Sequence, residues 1–206
     1  MTVLMKPELI APAGNIEKLK AALNFGADAA YLGGQEFGLR AMSDNFSPDD
    51  MAEGVKIAHD LGRKVYVTVN ILAHNRDIEK LPEYLGDLQQ LQVDGLIISD
   101  PGVLLLAREH APRLPVSIST QANVTNYMSA EFYRRQGASR IVLARELTLD
   151  EIAQIKKKVD IDVEVFIHGA MCLSYSGRCW LSQAMTGRDA NQGRCAHPCR
   201  YRYVLQ

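Results

Sequence analysis

The feature that most constrains the fold of this 206-residue chain is a regular alternation of short apolar strands with amphipathic helices. The unit recurs about every 20 to 35 residues, which is typical of βα units. Because such connections are short and right-handed, the repeat predicts a parallel sheet covered by helices. The predicted strands are Leu9–Ala11, Ala29–Leu32, Lys64–Leu72, Gly95–Ser99, Pro115–Thr120, Arg140–Ala144 and Asp162–His168. The predicted helices are Asn15–Phe25, Pro48–Leu61, Asp77–Leu91, Gly102–Glu109, Met128–Gln136 and Thr148–Lys158.

The two faces of the predicted strands favour a barrel over an open sheet. The central strands of an open, doubly wound sheet are apolar on both faces. Here three strands carry a mostly polar face opposite a face of Val and Ile. The residues of the mostly polar faces are Tyr66, Thr68 and Asn70 in the first strand, Ser117, Ser119 and Gln121 in the second, and Glu164, Phe166 and His168 in the third. The apolar face must meet the helices, so the polar face must line an interior. We therefore expect an α/β fold, a (β/α)8 TIM-like barrel.

The strand count predicts that this barrel is incomplete. Seven strands are recognisable, and Tyr201–Leu205 is a candidate eighth with no helix after it. Barrels of this kind typically need about 250 residues, so we expect a truncated form of a longer chain. The sequence divides into a barrel body over residues 1–170 and a Cys-rich loop with the last strand over residues 171–206, together forming one structural domain.

Composition excludes several classes of protein. The formal net charge is −1, so no global field indicates a nucleic-acid or membrane partner. The amino-terminal residues lack the basic and apolar regions of a signal peptide, and no stretch reaches the roughly 18 apolar residues of a membrane helix. The expectation is a cytoplasmic protein whose thiols stay reduced.

Polar side chains follow several predicted strands at their carboxyl ends, where barrel enzymes place their chemistry. Together they suit the binding of a small anionic organic molecule. A purely structural explanation stays open for Asp100 and Glu146, namely that they cap the helices that follow. Asp100 before Pro101 is typical of such a helix cap. The candidate binding residues are Arg40, Asn70, Gln121, Asn123 and Glu146, and the candidate catalytic residues are Arg145 and His168.

The four cysteines of the chain, Cys172, Cys179, Cys195 and Cys199, lie in one segment with the spacing C-x6-C-x15-C-x3-C. This segment follows His168 directly, so we expect it to lie over the barrel mouth. The long gaps favour a loop around a [4Fe–4S] cluster, whereas structural zinc usually shows two short C-x2–4-C pairs. Three alternatives stay open. The bound metal can be zinc, the cysteines can form two disulfides, or Cys172 can be a nucleophile with His168 as its base.

The cysteine segment is also rich in arginine and aromatic residues. Its arginines are Arg178, Arg188, Arg194, Arg200 and Arg202, and its aromatic residues are Tyr175, Trp180, Tyr201 and Tyr203. Such a composition is typical of a surface that holds a phosphate backbone and stacks bases. It also fits arginines that neutralise a bound cluster and aromatic rings that shield it. The sequence leaves both explanations open.

Several segments of this chain resemble the U32 peptidase family, which is also described as collagenase-like. The resemblance is carried by Glu164–Ser182, by Glu8–Gly14, by Arg40-Ala41, by Ala144–Leu147 and by Asn191–Cys195 with the following Cys199-Arg200. It therefore spans nearly the whole chain. The last of these segments is most similar to the bacterial tRNA hydroxylation branch of the family. Members of the family are longer, often with a further carboxyl-terminal domain.

This resemblance implies an iron–sulfur protein that supports hydroxylation of tRNA or other RNA, such as 5-hydroxylation of uridine, with prephenate as the hydroxyl source. The four cysteines would be the cluster ligands. Arg145 would pair with a carboxylate of the small dicarboxylic donor, and His168 would transfer a proton. The older family label implies instead a peptidase, and a third possibility is a non-catalytic iron–sulfur scaffold that works with a related protein partner.

Overall fold

The computed structural model of this protein describes residues 6–39, 45–169 and 171–204. Strands and helices alternate along most of this length. The strands are β1 (Ile10–Pro12), β2 (Ala29–Gly33), β3 (Lys64–Val69), β4 (Gly95–Ile98), β5 (Val116–Ile118), β6 (Arg140–Val142) and β7 (Asp162–Glu164). The helices are α1 (Ile16–Asn24), α2 (Pro48–Asp60), α3 (Asn75–Ile78), α4 (Leu81–Gln90), α5 (Pro101–His110), α6 (Tyr127–Arg135), α7 (Leu149–Lys158) and α8 (Leu181–Thr186).

The seven strands form one parallel sheet in chain order, β1 to β7, curled into a half-barrel. Each strand pairs with the next, as in Ala30 beside Val65 and Val67 beside Leu96. The predicted barrel class and its incompleteness are confirmed. Residues 201–204 of the candidate eighth strand form no strand, and Leu205 lies outside the described residues.

The alternation of the strands divides their side chains between two environments. The main core lies between the sheet and the helices, where Val65, Val67 and Val69 of β3 join residues such as Leu19 and Leu85. The concave side of the sheet holds a small separate cluster that includes Tyr66 and Ile97. The prediction that the other face of β3 lines an interior is confirmed.

An ionic cluster joins distant strands across this interior, centred near the amino ends of β1, β3 and β6. Arg140, at the start of β6, donates to the Glu8 carboxylate at 2.6 Å and lies 3.5 Å from the Glu164 carboxylate of β7. The Tyr66 hydroxyl donates to Glu8 at 3.2 Å, and its ring lies under the Arg140 guanidinium. Lys64 completes the cluster, 3.1 Å from Glu8. These contacts connect both edges of the open sheet.

Several predicted elements differ from the observed ones. β3 ends at Val69 rather than Leu72, and β6 ends at Val142 rather than Ala144. The helix expected over Asp77–Leu91 is divided into α3 and α4, because Pro82 near the start of α4 cannot continue a helix from the preceding turn. The last strand ends at Glu164 rather than His168. Since β7 pairs only with β6 and is an edge, residues 165–168 have no second neighbour to hold them extended.

Helix starts follow the local sequence. Ser47 and Thr148 form capping boxes with Asp50 and Glu151. Asp100 accepts from the amides of the first turn of α5, so the cap explanation for this acid is confirmed.

Within the described ranges, no helix has the length and apolarity required to cross a bilayer.

Candidate functional site

Residues 171–204 form a small lobe, here called the cysteine lobe, that contacts the carboxyl ends of the strands. One attachment lies just beyond β3. The Leu72 amide donates to the Asn191 carbonyl oxygen at 3.1 Å, and the Gln192 side chain donates to the Leu72 carbonyl oxygen. The predicted position of the cysteine segment over the barrel mouth is therefore confirmed.

A second attachment lies beyond β5 and β6 and is centred on Ser176. The Glu146 carboxylate accepts from the Ser176 amide at 3.0 Å, and the Asn123 side-chain oxygen accepts from the Ser176 hydroxyl at 2.6 Å. The Asn123 amide nitrogen contacts the Tyr175 hydroxyl. The hydrogen bond from the Ser176 amide lowers the pKa of the Glu146 carboxyl. Asn123 and Glu146, predicted to bind substrate, thus hold the lobe in this structure.

Arg145 fixes the backbone of the first cysteine. Its Nη1 donates to the Cys172 carbonyl oxygen at 3.1 Å and its Nη2 to the Ser174 carbonyl oxygen at 3.2 Å. Its Nε is buried and has no hydrogen-bond partner among the described residues. Partial burial raises the pKa of the Cys172 thiol, but hydrogen bonds from Ser174 and the charge of Arg145 outweigh it, and the net pKa lies below the ordinary value.

Asn70 and Gln121 meet at the mouth, as their positions at strand ends predict. The Asn70 side chain donates to the Gln121 side-chain oxygen at 2.9 Å, and the Gln121 amide returns a bond to the Asn70 carbonyl oxygen at 3.2 Å. The Ser119 hydroxyl also donates to Gln121. Gln121 and Ser119 are buried, so this amide pair is a preorganised polar floor beneath the lobe.

The remaining candidates lie apart from these contacts. His168 is exposed beyond the end of β7, and no side-chain partner for it occurs in the part of the chain that the structure describes. Its role in proton transfer stays a prediction. Arg40 lies outside the described residues.

The four cysteines are free thiols, and three of their sulfurs are in hydrogen-bond contact with neighbouring groups. The Leu181 amide lies 3.3 Å from the Cys179 sulfur, and the His197 amide lies 3.4 Å from the Cys195 sulfur. The Cys172 sulfur is 2.9 Å from the Ser174 hydroxyl. Donors aimed at sulfur stabilise a thiolate, the form that ligates metals.

The donor set thus fits a thiolate-ligated metal or cluster by its chemistry. Within residues 6–39, 45–169 and 171–204, no group of three His, Cys, Asp or Glu side chains lies close enough to hold a single metal ion. Cluster ligation by the four cysteines therefore stays a prediction.

Two buried polar residues shape the cysteine lobe, and the sequence did not single them out. Asn191 accepts from the Cys179 amide at 3.1 Å and donates to the Cys179 carbonyl oxygen at 3.0 Å. Ser182 donates to the Arg188 carbonyl oxygen at 2.7 Å and accepts from the Ala196 amide at 3.0 Å. Both residues lie in segments that carry the family resemblance, and that resemblance was the sequence feature that could have pointed to them. Their bonds join the stretches that contain Cys179 and Cys195.

The fold and the cysteine lobe together define a class of protein, a parallel (β/α) barrel with a cysteine-rich lobe at the carboxyl ends of its strands. The profile described as peptidase family U32 matches residues 14–206. The chain belongs to this family.

Two of the relatives of this chain have names that refer to RNA hydroxylation. The chain is 50% identical over 203 residues to tRNA hydroxylation protein P1 of Bacillus subtilis (strain 168), a match that covers 98% of this chain and 48% of that protein. It is 42% identical over 199 residues to the 23S rRNA 5-hydroxycytidine C2501 synthase of Escherichia coli (strain K12), covering 97% of this chain and 30% of that enzyme. The chain thus spans half or less of the length of these relatives.

The fold is also similar to that of a solved U32 peptidase. That structure superposes with a TM-score of 0.66 at 20% identity, covering 78% of this chain and 68% of the other. At this identity the likeness concerns the fold alone.

Proposed function

We propose that this chain takes part in the hydroxylation of RNA, with tRNA uridine as the first candidate substrate. The observation that carries this proposal is the identity, along almost the whole chain, to a tRNA hydroxylation protein and to an rRNA hydroxycytidine synthase. The names of these two relatives refer to different RNAs, and the part that both share with this chain is 48% of the first and 30% of the second. A common RNA hydroxylation chemistry in this shared part explains both matches.

The four cysteines are proposed to hold a [4Fe–4S] cluster, with zinc as the alternative. Bound there, the cluster would supply one-electron transfer. Four free thiols in one lobe and the amide donors aimed at Cys179 and Cys195 support this assignment. Free thiols are also the state that a reducing cytoplasm maintains, which supports a cytoplasmic location.

The hydroxyl donor is proposed to be a small dicarboxylate such as prephenate, bound at the mouth. In the overall exchange the C–O bond of the donor breaks as the C–H bond of the base becomes C–OH, and the donor takes up the hydrogen and the two electrons that the base loses. Arg145 lies beside this region, and its Nε, which is buried and has no hydrogen-bond partner among the described residues, is a donor left for a carboxylate. The amide pair of Asn70 and Gln121 offers neutral hydrogen-bonding groups nearby. His168, exposed beyond β7, would hold or release a proton at its imidazole.

The test begins with anaerobic purification of the chain, an absorption spectrum, and iron and sulfide analysis. The loaded protein is then incubated with unmodified tRNA transcript, a reductant and prephenate, and RNA nucleosides are analysed by mass spectrometry. We expect bound iron and sulfide and a uridine that gains one oxygen atom. A colourless protein with one zinc would overturn the cluster assignment.

Two other results would replace the proposed activity. Metal-free protein that cleaves peptides and stops when Cys172 is alkylated would establish the peptidase alternative. A loaded protein that modifies RNA only with a second protein would establish the scaffold alternative. Titration of Arg145→Ala with prephenate tests the donor site separately, since unchanged affinity would contradict the role proposed for Arg145.

A further inference from the structure

The charges of this protein are divided unevenly between barrel and lobe. The cysteine lobe contains five arginines and one acidic residue, Asp189, giving a net charge of +4 within a chain whose total is −1. The rest of the chain is therefore acidic. A basic lobe on an acidic body gives the molecule one face suited to a polyanion.

The arginines on this lobe are available to a ligand. Arg178, Arg194, Arg200 and Arg202 are exposed, and none of them has an ion-pair or side-chain hydrogen-bond partner in the described part of the chain. Arg188 differs, since it is half-buried and donates to the Arg194 carbonyl oxygen at 3.1 Å. The groups placed against the cysteine sulfurs are backbone amides and Ser174, not these arginines. Their exposure and their lack of partners among the described residues therefore favour an external anion over a neutralising role.

Exposed aromatic rings accompany these arginines, and two of them are held by their hydroxyl groups. The Tyr203 hydroxyl donates to the Pro198 carbonyl oxygen at 2.7 Å, and the Tyr201 hydroxyl donates to the Ala196 carbonyl oxygen at 3.2 Å. The Tyr203 ring is nonetheless 60% exposed, and Trp180 at the start of α8 is 74% exposed. Aromatic rings fixed in this way offer faces on which unpaired bases stack at small entropic cost.

We propose that the cysteine lobe is a binding surface for single-stranded RNA, with Arg200 and Arg202 on phosphates and Trp180 stacked on a base. The proposal rests on the function proposed above and assigns the RNA contact to one face of the molecule. Unpaired arginines interleaved with exposed rings match a single strand, whose bases are splayed out, better than a duplex. The stacking site and the cysteines then share one small lobe, so a bound base lies near the proposed cluster.

The experiment measures binding of a fluorescein-labelled oligouridine of about twelve nucleotides to the anaerobically purified full chain, with a duplex of equal length for comparison. The variants are R200A/R202A, W180A and W180F. The matched control is R113A/K157A, which removes two exposed cations near the amino-end side of the barrel. Iron and sulfide are measured on every sample, and Kd is measured over a range of salt.

We expect R200A/R202A to weaken binding about tenfold and to lower the salt slope by about 1.4, since each phosphate contact in a single strand contributes about 0.7. W180A should weaken binding about tenfold without changing that slope, with partial rescue by W180F. The control should bind as the unaltered chain does, and duplex should bind more weakly than single strand.

Unchanged Kd in R200A/R202A and W180A would overturn the proposal, as would equal losses in the control. A fall in iron content in R200A/R202A with unchanged RNA affinity would assign these arginines to the cluster instead. Absence of hydroxylation with intact, variant-sensitive RNA binding would contradict the proposed function and support this surface, so the two failures are distinguishable.

Discussion

Arg145, three residues beyond the end of β6, donates to the carbonyl oxygen of Cys172 at 3.1 Å, and thereby ties the first cysteine to the end of a barrel strand. The second bond, to the Ser174 carbonyl oxygen, holds the following residues in the same position. A residue that the sequence marks as an anion-binding group thus also positions the cysteine lobe. The two roles use different atoms, since Nη1 and Nη2 hold the lobe and Nε has no hydrogen-bond partner among the described residues.

Replacing Arg145 with Ala should release the segment around Cys172. Two hydrogen bonds to backbone carbonyls are lost and the Glu146–Ser176 contact stays. We expect amide hydrogen exchange over residues 173–178 to accelerate about tenfold, a change of about 1.4 kcal/mol in local opening. Arg108→Ala, which removes a bond to the Gln136 carbonyl oxygen on the barrel surface, is the control. Unchanged exchange in Arg145→Ala would contradict the positioning role.

Replacing Asn191 with Ala should destabilise the lobe more than the barrel. The side chain is buried and bridges the Cys179 amide and carbonyl, and leaving such groups unsatisfied costs about 1–3 kcal/mol. We expect earlier unfolding in urea monitored by the fluorescence of Trp180, the single tryptophan, which lies next to Cys179. Asn75→Ala, at an exposed position on α3, should leave the midpoint unchanged.

Replacing each cysteine with Ser should show which thiols bind the cluster. Loss of one thiolate ligand from a four-cysteine site lowers occupancy or stability of the cluster. We expect Cys172→Ser, Cys179→Ser and Cys195→Ser to lose most of their iron and sulfide after anaerobic purification. Cys199→Ser is the decisive sample, because retention of iron there would show that Cys199 is not a ligand. Full iron content in all four variants would reject the assignment.

The ionic cluster around Glu8 and Arg140 should make the free energy of unfolding depend on pH. Burial raises the pKa of the Glu8 carboxyl, but Lys64 and Arg140 outweigh it, so the net pKa is below the ordinary value of 4.5. Stability from Glu8 is therefore complete above about pH 4.5 and is lost as pH falls through the folded-state pKa. Burial raises the pKa of Glu164, so the contribution of that residue has the opposite sign and is lost as pH rises.

Glu8→Gln should accordingly lower the free energy of unfolding by about 1–3 kcal/mol at neutral pH, because Arg140 and Lys64 lose a charged acceptor. The difference from the unaltered chain should shrink as pH falls below 4.5, as measured by urea unfolding at several pH values. Glu79→Gln, at an exposed position, is the control. A difference that does not change with pH would refute the electrostatic explanation.

Much of the fold was predictable because it follows from local periodicity. The Val residues at 65, 67 and 69 alternate with polar residues, and this period of two fixes which face of β3 meets the helices. Capping of α2 and α7 depends on residues three positions apart. Strand length was less predictable at β7, since its end depends on how many neighbours the strand has.

The candidate site was predictable in location but not in contacts. Strand-end position placed Asn70, Gln121, Asn123, Arg145 and Glu146 at one mouth, because the carboxyl ends of parallel strands share an edge. Nothing local showed that Asn123 and Glu146 would meet Ser176, 53 and 30 residues away. Ser176 itself has an unusual left-handed backbone with φ of 44°, which only the surrounding contacts enforce.

The sequence by itself thus determined the parallel sheet, its two faces and the concentration of thiols and arginines in one segment, since all of these depend on short-range patterns. Tertiary structure alone decided that Arg145 holds Cys172, that Asn191 and Ser182 shape the lobe, and that Arg140 reaches Glu8 across 132 residues. Such contacts depend on how the sheet curls and where its edges lie. Those are properties of the whole folded chain, in which distant groups must satisfy one another's hydrogen bonds and charges.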